Sequence, residues 1–178
     1  ATGDFLKVTD PADSFPQFES WPAAEYQSGL AGPFDPHSGQ SFMWSERADE
    51  AYKRLTRTIT VPAGGATLSF WTSYNLELDF DYLIVEAHTV GQDNWTTLPD
   101  QNGHTSSDLS SDQSCTGGWS NPADTANVLH PFLTHYQTAN PDGSCSPQGS
   151  SGQWWAVSGE SGGYEQWRVD LSAFAMRN

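Results

Sequence analysis

Apolar residues in this chain alternate with polar ones in short runs cut by glycine and proline, and that pattern restricts it to β-structure. Only "SERADEAYKRL" (45–55) approaches a helical period, with Ser45 placed as an N-cap. "LTRTITVP" (55–62) sets Leu55, Arg57, Ile59 and Val61 on one face, then stops at Pro62 and the turn "AGGA". "ATLSFWTSY" (66–74) resumes at once, so 55–61 and 66–74 are predicted to form a hairpin. "DYLIVEAH" and "WTTLP", joined by "VGQDN", predict a second. "QWWAVSG" (153–159) and "YEQWRVDLS" (164–172), joined across "ESGG", predict a third. The expected fold is all-β, an antiparallel sandwich over 1–178 as one domain, with enough residues to build a core.

Residues 100–152 break the pattern, being poor in aliphatics and rich in Ser, Asp, Asn, Gly and Pro. They are expected to form a long loop excursion, with a short helix near 123–130 and a surface patch of His130, Phe132, His135 and Tyr136. Both cysteines, Cys115 and Cys145, sit in this polar stretch, where a disulfide pinning the loop is a better reading than two free thiols in a cytosolic protein. Closing such a loop is worth roughly 3.5 kcal/mol in the chain-entropy model. It implies an oxidising, extracellular compartment.

The charge balance is 22 Asp and Glu against 7 Lys and Arg, a formal net charge of −15. That argues against a nucleic-acid partner, because a polyanion is repelled. It suits a secreted protein, or one that takes up divalent cations. No stretch approaches the roughly 18–20 apolar residues of a membrane span, so no membrane partner is expected. No signal peptide opens the chain, which therefore reads as a mature or excised portion.

Within "YNLELDFDYLIVEAH" (74–88), Glu77, Asp79 and Asp81 alternate with apolar residues, which on a strand projects three carboxylates from one face. Such a row repels itself, and a cation relieves the cost. Calcium takes six to eight hard oxygens. The expected metal site is therefore Glu77, Asp79 and Asp81, with Asp49 or Glu50 from "RADEAY" and Asp170 from a distant strand. A solvated acidic face is the bland alternative. Peptidase chemistry on zinc needs a pairing such as His-x-x-Glu or His-Glu-x-x-His. None of the five histidines begins either motif, so no catalytic residue is assigned and the chain is expected not to be an enzyme.

The run from "MWSER" to "WTTLPD" resembles the accessory β-sandwich of immune inhibitor A-type metallopeptidases and of secreted bacterial zinc carboxypeptidases. The "LTR" strand, the "PAG" turn, "ATLSF", the Tyr followed by Glu and "DY", and the "W.TL" hairpin carry that resemblance. Trp167, Val169 and "DLSAFA" (170–175) match its closing element, so the similarity covers about 42–100 and 153–175. It implies a MAM-like jelly roll, often with bound calcium, beside a catalytic domain elsewhere in the parent protein. Glu77 and Asp81 stand where acidic residues recur in that motif. The resemblance also implies further strands after "DLSAFA". This chain ends at "MRN", so its sheets are expected to lack their last strands, removed or supplied by another chain, and to leave an open edge.

"ELDFD" (77–81) also resembles the Glu-x-Asp-x-Glu strand of laminarinase-like glycoside hydrolases, with Asp81 one methylene short at the acid position. Trp71, Trp95 and Trp167 alternate with polar residues and are expected in the core. Trp154 and Trp155 are adjacent and face opposite sides, so one of them is a candidate platform for a sugar ring. The functional expectation is a calcium-stabilised, non-catalytic accessory domain of a secreted bacterial metallopeptidase, bound to a protein or polysaccharide surface. A glycoside hydrolase and a carbohydrate-binding module are the alternatives.

Overall fold

The computed structural model describes residues 19–22, 36–39, 41–45, 52–110 and 130–175. Its strands run in chain order as β1 (Glu19–Pro22), β2 (Ser41–Trp44), β3 (Thr67–Thr72), β4 (Glu86–Ala87), β5 (Thr96–Thr97), β6 (Thr138–Ala139), β7 (Cys145–Ser146) and β8 (Glu165–Asp170). All pairings are antiparallel: β1 with β2, β3 with β8, β4 with β5, and β6 with β7. Helical geometry among the described residues is confined to two 3-10 turns, Leu133–His135 and Ser172–Phe174. No described helix is long and apolar enough to cross a membrane. The molecule is therefore β-rich, as the alternating pattern requires.

The longest ladder joins β3 to β8, two segments far apart in sequence. Leu68 lies opposite Val169 and Phe70 opposite Trp167, with the Phe70 and Trp167 rings 5.7 Å apart. Trp167 and Val169 are buried on this face and Phe70 packs over them, while Leu68 stays 38% exposed. The first expected hairpin is thus corrected. The chain does reverse at 62–65 (Gly65 N–H to Pro62 O, 2.8 Å), but 55–61 joins no ladder. Gly65 sits at φ +82° beneath the 3-10 turn, where a Cβ would lie 2.4 Å from Ser172 Oγ. The third expected hairpin is corrected too. Val157 bridges to Leu83, Ala156 to Ser106 and Gln153 to Gln148, while β8 pairs with β3. The second hairpin forms as expected, with Glu86 opposite Thr97 and Ala87 opposite Thr96. Its loop is clasped by Thr89 N–H donating to Asn94 Oδ1 and Asn94 Nδ2 donating to Thr89 Oγ1.

Two apolar clusters hold these elements. One gathers Val61, Leu98, Val169 and Leu171; the other gathers Leu133, Tyr136, Trp154 and Ala156. The segment 82–87 runs between them. Tyr82 and Ile84 pack on the second cluster, Val85 and Ala87 on the first. "LIV" reads as an unbroken apolar run because both faces of this segment are covered.

The excursion expected at 100–152 is more structured than its composition suggested. Residues 111–129 lie outside the described part, and with them Cys115 and most of the expected helix at 123–130. Cys145 is not a free thiol, but its pairing with Cys115 stays an expectation. Further along, "NPDGS" turns β6 into β7 around Gly143 at φ +85°. His130, Leu133 and Tyr136 are buried, so the expected surface patch is corrected. The tip "GSSG" (149–152) is stapled between neighbours: Ser150 N–H reaches Thr134 O (3.1 Å), and Gly152 N–H reaches His135 O (2.7 Å).

Candidate binding face

The acidic row does not lie on a strand. Residues 77–81 form a tight turn, with the N–H groups of Phe80 and Asp81 both bonded to Glu77 O (3.1 and 2.8 Å). Asp79 adopts φ +66°, a left-handed conformation that Asp tolerates better than most residues. Ser158 fastens the turn, accepting Asp79 N–H at 2.8 Å and donating to Glu77 O at 3.1 Å. Glu77 and Asp81 are exposed, and the tip presents Leu78 and Phe80 to water. A turn lets like charges diverge into solvent, which removes the repulsion that the strand reading needed a cation to relieve.

Among the described residues, the expected calcium ligands do not gather around one point. No three His, Cys, Asp or Glu among the described residues converge as a metal site. Asp49 lies outside the described residues, as does Glu50. Asp170, at the end of β8, accepts both the hydroxyl (2.6 Å) and the N–H (2.9 Å) of Ser172. Those bonds hold its carboxyl below the usual range. The turn also undoes the one-face array on which the glycoside hydrolase alternative depended.

Polar chemistry gathers instead at three places, two of which draw on His130, His135 and Tyr136 of the expected patch. At the first, the Asp100 carboxylate has no exposed surface and lies shallow beneath one turn. It accepts the N–H groups of Arg168 (2.6 Å), Asn102 (3.1 Å) and His104 (3.2 Å). Burial raises its pKa, but these bonds and the His104 ring outweigh burial and leave it below the ordinary value. Nδ1 of His104 lies 2.6 Å from Asp100 Oδ2, and Nε2 lies 3.6 Å from Glu165 Oε2. Tyr74 donates to that same Glu165 oxygen at 3.1 Å, and burial and then Glu165 push its pKa up to about 12. His104 thus has a carboxylate at each nitrogen and ties the 100–105 turn to β8. The signal was available: Asp100 ahead of Gly103 in "DQNGH" is an Asx-turn pattern.

The second place is Glu86. Tyr136 donates to Oε2 at 2.6 Å, Tyr52 donates to Oε1, and His130 Nε2 stands 3.6 Å from Oε2. Burial first, and then Glu86, raise the pKa of both tyrosines. Burial lowers that of His130 to about 4, with Glu86 opposing it. Neutral His130 and two phenols that keep their protons make this a packed lock between 52, β4 and 130–136. Tyr136 and His130 are too deeply buried to meet a substrate.

The third place resembles a catalytic triad in composition. His135 has Nδ1 2.8 Å from Ser151 Oγ and Nε2 3.4 Å from Asp93 Oδ1. Ser151, however, donates its hydroxyl proton to Trp95 O at 2.8 Å. A hydroxyl committed to a carbonyl accepts from the imidazole, which is the reverse of nucleophile activation. The arrangement staples the "GSSG" tip.

What remains accessible is the outer face of β3 and β8. Register places Thr67, Ser69 and Trp71 opposite Asp170, Arg168 and Gln166, all on the side away from the core. Trp71 is 46% exposed, which corrects its expected place in the core. The His37 ring stacks on it at 3.9 Å with 15° between planes, and Tyr164 meets His37 edge-on at 5.4 Å. Gln166 donates to Ser69 Oγ at 3.3 Å, and Asn102 donates to Gln166 O at 2.6 Å. Trp167 is fully buried as expected, and Trp95 is half-buried between the stacked rings of His88 and Phe132, each 3.8 Å away. Trp154 is 1% exposed inside the second cluster, which removes it as a ring platform; Trp155 is half-buried. No family model, curated protein or solved structure matches the chain.

Proposed function

We propose that this chain is a non-catalytic accessory domain of jelly-roll type from a secreted bacterial protein, and that it binds a neutral polysaccharide surface. The parent is a metallopeptidase of the kind whose accessory domains the motifs at 42–100 and 153–175 resemble. Exposed Trp71 carries the reading. The sheet puts an indole, which folding does not need to expose, beside Ser69, Gln166 and Arg168 on one flat polar face. An aromatic plane flanked by hydrogen-bonding side chains suits a sugar ring, whose C–H face is apolar and whose rim is hydroxyl. The His37 ring occupies one face of that indole, so a sugar ring stacking there takes its place. Net charge −15 favours a neutral glycan over an acidic one.

Co-sedimentation with insoluble neutral glycans (cellulose, chitin and β-1,3-glucan) tests this reading. The native chain is expected to pellet with one of them. Trp71→Ala is expected to stay in solution while its Tm moves by no more than about 1 °C, as for an exposed side chain. Equal sedimentation of Trp71→Ala and native protein, or none by the native chain on all three, overturns the reading.

A further inference from the structure

Residues 55–60 have a strand-like composition, yet take part in no ladder with the described residues. From 52 to 62 the backbone runs without turn, bend or bridge. None of the N–H or C=O groups of 54–61 is hydrogen-bonded to a described residue. "LTRTIT" contains no Gly, Pro, Asn or Asp, the residues that normally build an irregular connection. The run is also held at both ends: Tyr52 is bonded to Glu86, and Val61 is buried with Leu98, Val169 and Leu171. All of 55–60 is exposed between these anchors, including Leu55 at 38% and Ile59 at 48%. A β-branched segment anchored at both ends, with no main-chain partner among the described residues, offers its main chain as an edge.

Charge selects the occupant. Lys53, Arg54 and Arg57 are three of only 7 cationic residues in a chain of net charge −15. Arg54 and Arg57 are exposed, and no carboxylate among the described residues forms an ion pair with either. A second copy pairing through the same run sets these cations against their own kind, whereas an acidic strand neutralises them. We propose that 55–61 is a receptor edge for β-strand addition, taking an extended acidic peptide in which apolar residues alternate with Asp or Glu. Main-chain bonds supply the affinity. Leu55 and Ile59 meet the apolar side chains on one face, and Arg54, on the opposite face, selects the charge.

The site is separate from the Trp71 face and stands or falls independently of it. The test uses the full chain and a peptide of about eight residues alternating Val and Glu, with a Val and Lys counterpart and a version N-methylated at every second amide. The acidic peptide is expected to bind at least about tenfold more tightly than the basic one. Methylation is expected to abolish binding, and hydrogen exchange to slow at the amides of 55–61 on complex formation. Arg54→Glu, an exposed change on the face that meets the acidic residues, is expected to abolish the charge preference. Binding that survives methylation, protection that appears elsewhere, or no binding at all overturns the proposal. So does protection of 55–61 in the free protein that rises with its concentration, which would make a second copy the occupant.

Discussion

His130 shows how one side chain couples the fold to pH. Its ring is 3% exposed and packs 4.3 Å from that of Tyr52, so charging it inside the protein is unfavourable. Its pKa is accordingly lowered from 6.5 to about 4, chiefly by burial, with Glu86 only partly offsetting the shift. A lowered folded pKa means that between those two values the unfolded chain binds the proton and the folded chain does not. Stability is complete above pH 6.5 and is drained as pH falls toward about 4. Asp100 acts lower on the scale: its carboxyl is held below the ordinary value, so its contribution is lost only under more acidic conditions. Between pH 7 and pH 5 the native chain is expected to lose on the order of 1–2 kcal/mol through His130. In His130→Gln the urea midpoint is expected to change much less over that interval, whatever its starting stability. An equal pH slope in both proteins would show that His130 is not the group responsible.

At the level of elements, two glycines separate close packing from backbone conformation. Gly152 is wedged against β5, where a Cβ would lie 2.5 Å from both Trp95 O and Thr96 Cβ. Gly143, at the β6–β7 turn, has φ +85° but open space around it. Gly152→Ala is expected to cost about 3 kcal/mol, since backbone cannot move aside cheaply. Gly143→Ala should cost about 1 kcal/mol, the penalty of a left-handed residue alone. Urea midpoints of the two variants check the order, and the reverse order would mean that the "GSSG" staple yields easily. Much of the local structure was legible in the sequence: the alternation locates β3 and β8, and "VGQDN" closes the β4–β5 hairpin. Parity alone also places Trp71 with Ser69 and Thr67, opposite to Leu68 and Phe70, so its exposure was readable. Partner choice was not, because a period says which face is buried and nothing about which distant strand covers it. Residues 130–137 were misjudged because their polar letters conceal a lock that closes only when Glu86 arrives from elsewhere in the chain. At 77–81 the alternation was real, but three carboxylates and a tolerant Asp79 make a turn the lower-energy answer.

At the scale of the whole molecule, net charge −15 acts on every part of the fold at once. Unscreened like charges push the compact state apart, and salt shortens their reach from about 30 Å at 0.01 M to about 3 Å at 1 M. Any cation, calcium included, is therefore expected to raise Tm through ionic strength alone, and a gain on adding calcium says nothing about a site. Glu77→Gln resolves the matter because the two accounts give it opposite signs. If the 77–81 turn is a solvated acidic tip, with Glu77 exposed, the variant sheds one unit of self-repulsion. Its Tm in low salt should then equal or exceed the native value, by about 1 °C. If Glu77 were a calcium ligand, the variant would melt earlier in calcium than the native protein. The deficit would disappear in chelator and would not appear in sodium chloride of matched ionic strength. The turn geometry, with Ser158 rather than an ion tying Glu77 O to Asp79 N–H, predicts the first result.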